Sequence, residues 1–333
     1  MKSFTIGEIN EVVKGSLTGN TTHRITGAEQ LSLATQNHIT FIGSKKYSLQ
    51  WNSSKAAAAL VDETLSFEPG ENRALIRVKN ADLAMARVLE LFIPEPPVFD
   101  SAIHPSAVIH KTASIGEGCK IGAGAYIGAN VIISGNVTIY PNVTILDECT
   151  IGMGTIIWPG TVIRERCIIG SFCILHPNVS IGTDGFGYCQ GPDGKSIVKV
   201  PHIGIVKIGD NVEIGSGSCV DRGKFSATII GDGTKLDNLV QIGHNCQIGR
   251  MCLLAGCSGL SGSVIMGDGV VLGGDAVVKD HITIGSGAKI GMSSVVINDI
   301  PAGEKVLGYP AVPYRDTLKQ WAILKDLVKK SDR

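Results

Sequence analysis

A six-residue repeat occupies most of this chain and limits what the chain can fold into. Isoleucine or leucine stands at every sixth position from 103 to 181, and glycine often follows it. The spacing returns from Ile208 to Val220, and again from Ile230 to Val296. A fixed short period of this kind is typical of β-solenoids, in which each repeat forms one short strand and one turn.

We therefore predict a mainly β protein with a parallel β-helix over residues 101–301. Three hexads would make one coil, with aliphatic side chains inside and glycine or small polar residues at the corners. Successive coils would lie ~4.8 Å apart as paired parallel strands, and the repeat is long enough for roughly ten of them. The 42 glycines and the aromatic content of only 5% suit many tight turns around a narrow core.

The repeat is interrupted at two places. Residues 183–205 lack it and form an insertion loop, and the spacing slips by four residues across 221–224. Loops that leave a regular scaffold are often functional, so we expect the insertion to have a functional role.

Residues 1–100 lack the repeat and predict a small α/β domain. Helical spacing is found at 4–13 and 80–92, and strand patterns at 39–42, 57–61 and 74–78. The segment Pro94-Glu95-Pro96-Pro97 marks the boundary. Residues 302–333 form a C-terminal extension in which Leu318, Trp321, Leu324 and Val328 predict an amphipathic helix.

Composition excludes several classes of protein. The 30 basic residues balance the 30 acidic ones, so nothing indicates a nucleic-acid partner. No apolar run is long enough to span a membrane, and the first residues lack a signal region. The nine cysteines are odd in number and form no Cys-x-x-Cys pair, which favours reduced thiols in the cytoplasm over disulfides or zinc.

The regular coil allows one histidine to be placed relative to other residues. Ile242 and Leu260 are one coil apart, so Gly262 is expected beside His244, ~4.8 Å away. Ile242 and Val278 are two coils apart, which puts His281 on the same face as His244. A backbone N–H beside a histidine is the arrangement that acyl transfer uses to stabilise an oxyanion.

Asp237, one hexad before His244, is a candidate carboxylate to fix the imidazole tautomer. The other interpretation is that Asp237 caps a corner by accepting a backbone N–H bond. His176 and His202 are expected to be structural. A zinc site made of three histidines, as in prism-shaped carbonic anhydrases, is the rival on this fold, but His244 and His281 are too far apart to share a metal, and we expect none.

Several segments together resemble one enzyme family, the UDP-3-O-acylglucosamine N-acyltransferases of lipid A synthesis. They are Ile181-Gly182-Thr183-Asp184-Gly185-Phe186-Gly187-Tyr188, Ile208-Gly209-Asp210-Asn211-Val212-Glu213-Ile214-Gly215, Val220-Asp221-Arg222-Gly223, Leu236-Asp237-Asn238 and Gln241-Ile242-Gly243-His244-Asn245. Ile25-Thr26-Gly27-Ala28, Ile39-Thr40-Phe41-Ile42 with Lys46-Tyr47, and Gly308-Tyr309-Pro310-Ala311 fit as well. The resemblance covers nearly the whole chain.

The resemblance implies a homotrimer of left-handed β-helices with active sites between subunits. It implies that His244 is the catalytic base, that Asp237 is its acidic partner and that the Gly262 backbone is the oxyanion donor. It also implies that Asn238 and His281 lie near the substrate.

The resemblance assigns the N-terminal domain to the uridine of a nucleotide sugar. Phe41 and Tyr47 match the aromatic residues that sandwich the uracil. The family often has Asn-Pro-Lys-Tyr before this tyrosine, where this chain has Ser44-Lys45-Lys46-Tyr47.

The implied reaction moves a 3-hydroxyacyl group from acyl carrier protein to the 2-amine of UDP-3-O-acyl-glucosamine, without a metal or a cofactor of the enzyme's own. The lysines of the C-terminal helix suit that acidic carrier protein. Two alternatives stay open: a sibling O-acyltransferase or N-acetyltransferase that uses a coenzyme A thioester, and a non-enzymatic β-helix that serves as a binding surface.

Overall fold

A computed structural model describes residues 2–95, 97, 99, 101–308 and 313–331. The chain divides into two compact units, residues 1–98 and 99–333. Pro96 of the predicted boundary segment and residues 309–311 of the C-terminal motif lie outside the described residues.

The first unit is a five-stranded sheet with three helices. Its strands are β1 (Ser16–Gly19), β2 (Gly27–Ala28), β3 (His38–Ile42), β4 (Ala58–Asp62) and β5 (Ala74–Val78), in the order β1-β5-β4-β3-β2. Only the β1–β5 pair is antiparallel. The helices are α1 (Ile6–Val13), α2 (Lys45–Ser48) and α3 (Ala81–Phe92), with a 3₁₀ turn at Trp51–Ser53.

Local sequence explains the longer of these elements. Thr5 and Glu8 form a capping box at the start of α1, and Asn80 caps α3 by accepting a hydrogen bond from the Leu83 N–H. The predicted helices and the three predicted strands are confirmed as α1, α3, β3, β4 and β5. Elements β1, β2 and α2 are not predicted from the sequence, because they are short and carry weak periodicity.

The second unit contains a parallel β-solenoid with three faces, which confirms the prediction from the hexad repeat. The first face has ten strands: β8 (Lys120–Ile121), β11 (Thr138–Ile139), β14 (Ile156–Ile157), β17 (Ile174–Leu175), β22 (Glu213–Ile214), β25 (Lys235–Leu236), β28 (Leu253–Leu254), β31 (Val271–Leu272), β34 (Lys289–Ile290) and β36 (Lys305–Val306).

The second face also has ten strands: β6 (Val108–Ile109), β9 (Tyr126–Ile127), β12 (Thr144–Ile145), β15 (Val162–Ile163), β18 (Ser180–Thr183), β23 (Cys219–Asp221), β26 (Gln241–Ile242), β29 (Gly259–Leu260), β32 (Val277–Val278) and β35 (Val295–Val296). The third face has nine: β7 (Ser114–Ile115), β10 (Ile132–Ile133), β13 (Thr150–Ile151), β16 (Ile168–Ile169), β21 (Ile205–Ile208), β24 (Ala227–Ile230), β27 (Gln247–Ile248), β30 (Ile265–Met266) and β33 (Thr283–Ile284).

The repeat forms this structure because its residues alternate between the inside and the outside. The second residue of a typical two-residue strand points inward, and Ile145, Ile163 and Ile242 are fully buried. Burying each such side chain contributes ~1.5–3 kcal/mol. The corners need left-handed backbone, which glycine and asparagine supply, as at Asn142 and Asn245 with φ of 60° and 63°.

Two stacks of turns matter below. The Asp237 corner joins the first face to the second, and the His244 corner joins the second face to the third. The two interruptions meet at the His244 corner. The insertion separates β18 from β21 and contains a hairpin of β19 (Tyr188–Gln190) and β20 (Ile197–Lys199). The four-residue slip lies between β23 and β24.

The C-terminal helix α4 (Tyr314–Ser331) is present as predicted. Its apolar residues Leu318, Trp321 and Leu324 are exposed. The side chains of Val328 and Lys329 lie outside the described part of the chain.

Candidate active site

His244 follows strand β26 and lines a cavity of about 610 Å³ at the His244 corner. Its carbonyl accepts a hydrogen bond from the Ser263 N–H at 2.8 Å, which fixes the backbone to the next coil. Phe186, Asp221, Gly262 and His281 line the same cavity. The cavity therefore combines residues from the insertion, the slipped segment and two later coils.

Gly262 lies directly against the His244 imidazole, as the 18-residue spacing predicts. A Cβ added to Gly262 would come within 2.6 Å of both Cε1 and Nε2 of His244. Only glycine therefore leaves this imidazole edge open. The Gly262 N–H has no hydrogen-bond acceptor among the described residues, so it is free to donate to a ligand.

Asn245 fixes the tautomer of His244. Its Oδ1 accepts a hydrogen bond from the Lys224 N–H at 2.9 Å, which identifies that atom as the oxygen. The same oxygen is 3.1 Å from His244 Nδ1, so Nδ1 must carry the proton. Nε2, on the edge beside Gly262, then has the free lone pair that a base requires.

Asp221 ends strand β23 and supplies the carboxylate of this cavity. It accepts a hydrogen bond from Thr183 Oγ1 at 2.8 Å. Burial raises the pKa of the Asp221 carboxyl, although hydrogen bonds from Thr183 and Gln241 and the charges of His244 and His202 pull it down in part. Such a carboxylate favours a positive charge on a neighbouring imidazole.

Within this chain the structure does not bring Asp237 to His244. Asp237 lies at the Asp237 corner and lines a different cavity, together with His176 and Asn238. Its Oδ1 accepts from the Asn238 N–H at 2.8 Å, and its Oδ2 accepts from the Gly256 N–H at 3.1 Å. The carboxylate caps two corners, which was the alternative interpretation of the sequence.

Asn238 shares this capping arrangement. Its Oδ1 accepts from the Ser216 N–H at 2.7 Å, and its Nδ2 donates to Asp237 at 3.1 Å. Within one chain the structure does not bring Asn238 to the His244 cavity. Two sequence signals point to Asp221 and Asn245 instead. Asp221 lies at the four-residue slip, and Asn245 directly follows His244.

His281 lies on the same cavity as His244, but one residue out of register. Its N–H donates to the Gly262 carbonyl at 3.1 Å, so the residue two coils from His244 is Asp280. His281 Nε2 is 4.0 Å from Asp280 Oδ2, and both side chains are exposed. The pair offers polar groups at the rim of the cavity.

The insertion covers one side of the cavity. Phe186, 88% exposed, lines it, and the buried ring of His202 packs against His244 with centroids 5.0 Å apart. Arg164 and Lys199 hold Asp184 at 2.9 and 2.5 Å, and the buried Arg222 binds Glu165 at 2.7 Å. These ion pairs tie the insertion and the slipped segment to the solenoid.

Phe41 and Tyr47 line one cavity of about 420 Å³ in the first unit. Phe41 points outward from β3, and Tyr47 lies in α2; they are 42% and 46% exposed. Ser44 and Asp82 line the same cavity. Exposed aromatic rings beside polar groups suit a flat, polar ligand such as a nucleobase.

Two kinds of feature are absent from the described part of the chain. No helix there is long and apolar enough to cross a membrane. No group of three or more histidine, cysteine, aspartate or glutamate side chains there is arranged to hold a metal ion.

Comparisons with known proteins bear on both units. The family model described as UDP-3-O-(3-hydroxymyristoyl) glucosamine N-acyltransferase, LpxD, matches residues 22–91. A model of the hexapeptide repeat of succinyl-transferase matches residues 205–238 and 263–297.

Named relatives extend the match to nearly the whole chain. UDP-3-O-acylglucosamine N-acyltransferase 1 of Francisella tularensis subsp. holarctica (strain OSU18) is 47% identical over 329 residues, or 97% of this chain and 94% of the relative. A Caulobacter sp. (strain K31) protein called UDP-3-O-acylglucosamine N-acyltransferase is 47% identical over 45% of this chain and 44% of its own length. The solved Arabidopsis UDP-N-acetylglucosamine acyltransferase is 29% identical, covering 62% of this chain and 71% of its own, with a TM-score of 0.56.

Proposed function

The chain belongs to the UDP-3-O-acylglucosamine N-acyltransferase family, and we propose that it moves a 3-hydroxyacyl group from acyl carrier protein to the 2-amine of UDP-3-O-acyl-glucosamine. The family makes it an acyltransferase of lipid A biosynthesis that acts on a UDP-sugar. The observation that carries the choice of site is the free Nε2 of His244 beside the free N–H of Gly262.

The proposed chemistry follows from that pair. The amine attacks the thioester carbonyl and forms the C–N bond, while His244 Nε2 accepts a proton from the nitrogen. The Gly262 N–H donates a hydrogen bond to the oxyanion of the tetrahedral intermediate. The intermediate then collapses, the C–S bond breaks, and the proton on His244 passes to the leaving thiolate.

The remaining polar groups of the cavity have supporting roles in this proposal. Asn245 keeps the proton on Nδ1, and Asp221 faces the imidazolium that forms. His281 and Asp280 stand at the rim, where sugar hydroxyls would lie. The reaction needs no covalent enzyme intermediate and no cofactor of the enzyme's own, since the phosphopantetheine arrives on the carrier protein.

One experiment tests the reaction and the site together. Mass spectrometry would identify the products of UDP-3-O-acyl-glucosamine with a panel of acyl carrier protein thioesters and matched coenzyme A thioesters. We expect an amide product from carrier-protein donors, and a loss of ~10²–10⁴-fold in kcat for His244→Ala. A folded His244→Ala variant with near wild-type turnover would refute the assigned base.

The donor panel also separates the alternatives. A preference for coenzyme A thioesters, or an ester product, would favour the sibling acyltransferase. No product with any donor, and no binding of a UDP-sugar, would favour a non-enzymatic β-helix.

The acyl carrier protein is proposed as partner on the charge of helix α4. Lys319, Lys325 and Lys330 lie on this exposed helix, and Lys319 is 3.6 Å from Asp316. In the donor panel, the KM for carrier-protein thioesters should rise with salt, because screening weakens attraction between exposed charges. An equal rise with coenzyme A thioesters would argue against a carrier-protein surface.

The uridine is proposed to bind between Phe41 and Tyr47. Phe41→Ala should raise the KM for the nucleotide sugar by roughly 5- to 100-fold, since base–aromatic stacking is worth ~1–3 kcal/mol. Steady-state kinetics with each substrate varied in turn would check this. Leu33→Ala, at an exposed site outside this cavity, is the control. An equal change in the KM of the acyl donor would argue against stacking.

A homotrimer is proposed from a row of exposed isoleucines on the third face. Ile132, Ile168, Ile229 and Ile265 are between 37% and 53% exposed on strands of one sheet that adjoins the His244 corner. Such a row favours burial against another subunit. Analytical ultracentrifugation should give a mass three times the 35.0 kDa of one chain.

A cytoplasmic location is proposed from the cysteines. All nine have free thiols, and seven of them are at least partly buried. Burial raises the pKa of Cys149 and Cys246 to about 12, which keeps these thiols protonated and unreactive. Thiols of this kind suit a reducing compartment.

A further inference from the structure

His202 is a buried histidine of the insertion that the proposed reaction does not use. Its side chain is 5% exposed, and its Nδ1 lies 3.0 Å from the Val200 carbonyl oxygen. A carbonyl only accepts hydrogen bonds, so Nδ1 carries the proton and Nε2 carries the lone pair. Within the described residues Nε2 is buried and has no hydrogen-bond partner.

An unpartnered buried polar atom is costly, so its surroundings are informative. The ring of His202 meets that of His244 at an interplanar angle of 62°, edge to face. Gly185 marks where the two rings come together. A Cβ added there would lie 2.8 Å from His202 Nε2 and 2.7 Å from His244 Cδ2. The Nε2 edge of His202 therefore lies toward His244.

The charges around the two rings determine how His202 affects the protonated form of His244. Asp221 lies close enough to both imidazoles for their charges to act on it, and Asp280 and His281 line the same cavity as His244. Neutral His202 presents a lone pair, which attracts the polarised C–H edge and the positive charge of a protonated His244. A protonated His202 would instead repel that charge.

We propose that His202 is a positioning residue, which holds the His244 ring in place and stabilises its protonated form through the lone pair on Nε2. The inference rests on the proposed role of His244 as the base. The insertion would then assist the proton transfer as well as cover the cavity.

Two substitutions separate the lone pair from the packing. His202→Phe keeps a flat ring against His244 and loses the lone pair. His202→Gln places an amide oxygen near the position of Nε2 and loses the ring. If packing alone matters, Phe is the better replacement, and if the lone pair matters, Gln is.

The experiment measures kcat and KM for both substrates across pH, together with Tm. For His202→Phe we expect kcat to fall roughly three- to tenfold, the effect of one lost polar contact, with both KM values within about twofold of wild type. If the substitution only loosens the packing, water enters the site and the acid limb of the pH–rate profile should move to higher pH. If the lone pair is what matters, protonated His244 loses its stabilisation and the limb should move to lower pH. We expect the shift to lower pH, and we expect His202→Gln to restore both kcat and the position of the limb.

Each other outcome overturns the inference. If His202→Phe has wild-type kcat and its acid limb is unmoved or lies at higher pH, His202 is structural. The same conclusion follows if His202→Phe retains more kcat than His202→Gln. His110→Phe is the matched control, because His110 is an exposed solenoid histidine whose Nδ1 has a local partner, Thr112. Its kinetics should equal those of the wild type.

His244→Ala in the same series separates the two proposals. If it is active, the assignment of the base fails, whatever His202 does. If it is inactive while His202→Phe matches the wild type, only the present inference fails.

Discussion

The Asp237 corner and the His244 corner are built from the same kind of hexad, yet they differ in whether their polar groups are hydrogen-bonded within the chain. At the Asp237 corner, Asp237 and Asn238 accept hydrogen bonds from the N–H groups of Asn238, Gly256 and Ser216. At the His244 corner, neither His244 Nε2 nor the Gly262 N–H has a hydrogen-bond partner among the described residues.

The comparison teaches that capping is the default for a polar side chain on a β-solenoid. Each corner leaves backbone N–H groups to be satisfied, and an aspartate or asparagine does so at once. A corner whose polar groups stay uncapped therefore needs a structural cause. Here the reasons are a glycine beside the histidine and two interruptions of the repeat that bring in Asp221 and His202.

Among the tests of this comparison, the largest effect is expected from a substitution that fills the His244 corner. Gly262→Ala would place a methyl group 2.6 Å from His244 Nε2, and Gly262 has no positive φ, so the clash is with the imidazole alone. We expect kcat to fall ~10²–10³-fold, because the methyl group displaces the imidazole and blocks access to the N–H that alanine retains, which is comparable with losing an oxyanion donor. Steady-state kinetics on the folded variant would measure it.

Gly256→Ala is the matched control at the other corner. Its added Cβ would lie 3.1 Å from Asp237 Oδ2, so a small shift of one carboxylate relieves the contact. Its turnover should stay within about threefold of wild type, since such a shift leaves the His244 corner unchanged. Equal losses in the two variants would contradict the difference between the corners.

A smaller effect is expected from the residue that fixes the tautomer. Asn245→Ala frees Nδ1 of His244, so the proton is shared between the two ring nitrogens and the ring can rotate. We expect kcat to fall roughly 10- to 100-fold, part of what a positioned base contributes. Asn142→Ala is the control, because Asn142 also has positive φ but lies far along the solenoid. It should lose stability and keep turnover.

Much of this arrangement was predictable from sequence, and the limit lies where the repeat stops. Counting by 18 placed Gly262 beside His244 because no insertion lies between them. The same counting could not place Asp221 or His202, since the slip and the insertion break the register. It also erred by one residue in pairing His244 with His281, whose register neighbour is Ser263 rather than Gly262.

Asp237 does not meet His244 within this chain for a different reason. Residue type and distance along the chain both favour it, but strand β26 separates its corner from that of His244. The sequence indicates the strand that a residue follows, but it does not indicate which hydrogen-bond donor a carboxylate will meet. The free N–H of Gly256 was the nearer partner.

The smallest predicted effect is a change in Tm on substitution of Asp221, and the direction of that change distinguishes the two corners. Burial raises the pKa of this carboxyl in the folded state. As the pH rises, the carboxyl therefore ionises in the unfolded chain before it ionises in the folded chain. The free energy of unfolding falls with pH between the unfolded-state pKa and the folded-state pKa. The folded protein bears this cost above the folded-state pKa and not below the unfolded value of ~3.9.

Asp221→Asn removes the ionisable group, so it should raise Tm at pH 7.5 and lose that gain as the pH approaches 4. The rise should stay within about 2–4 °C, the shift that ~1 kcal/mol gives in a domain of roughly this size. Its kcat should fall, because the imidazolium loses its facing charge. Asp237→Asn should instead lower Tm, since one amide oxygen cannot replace both capping oxygens. A variant of Asp221 that is less stable at neutral pH would mean that both corners use their carboxylates only as caps.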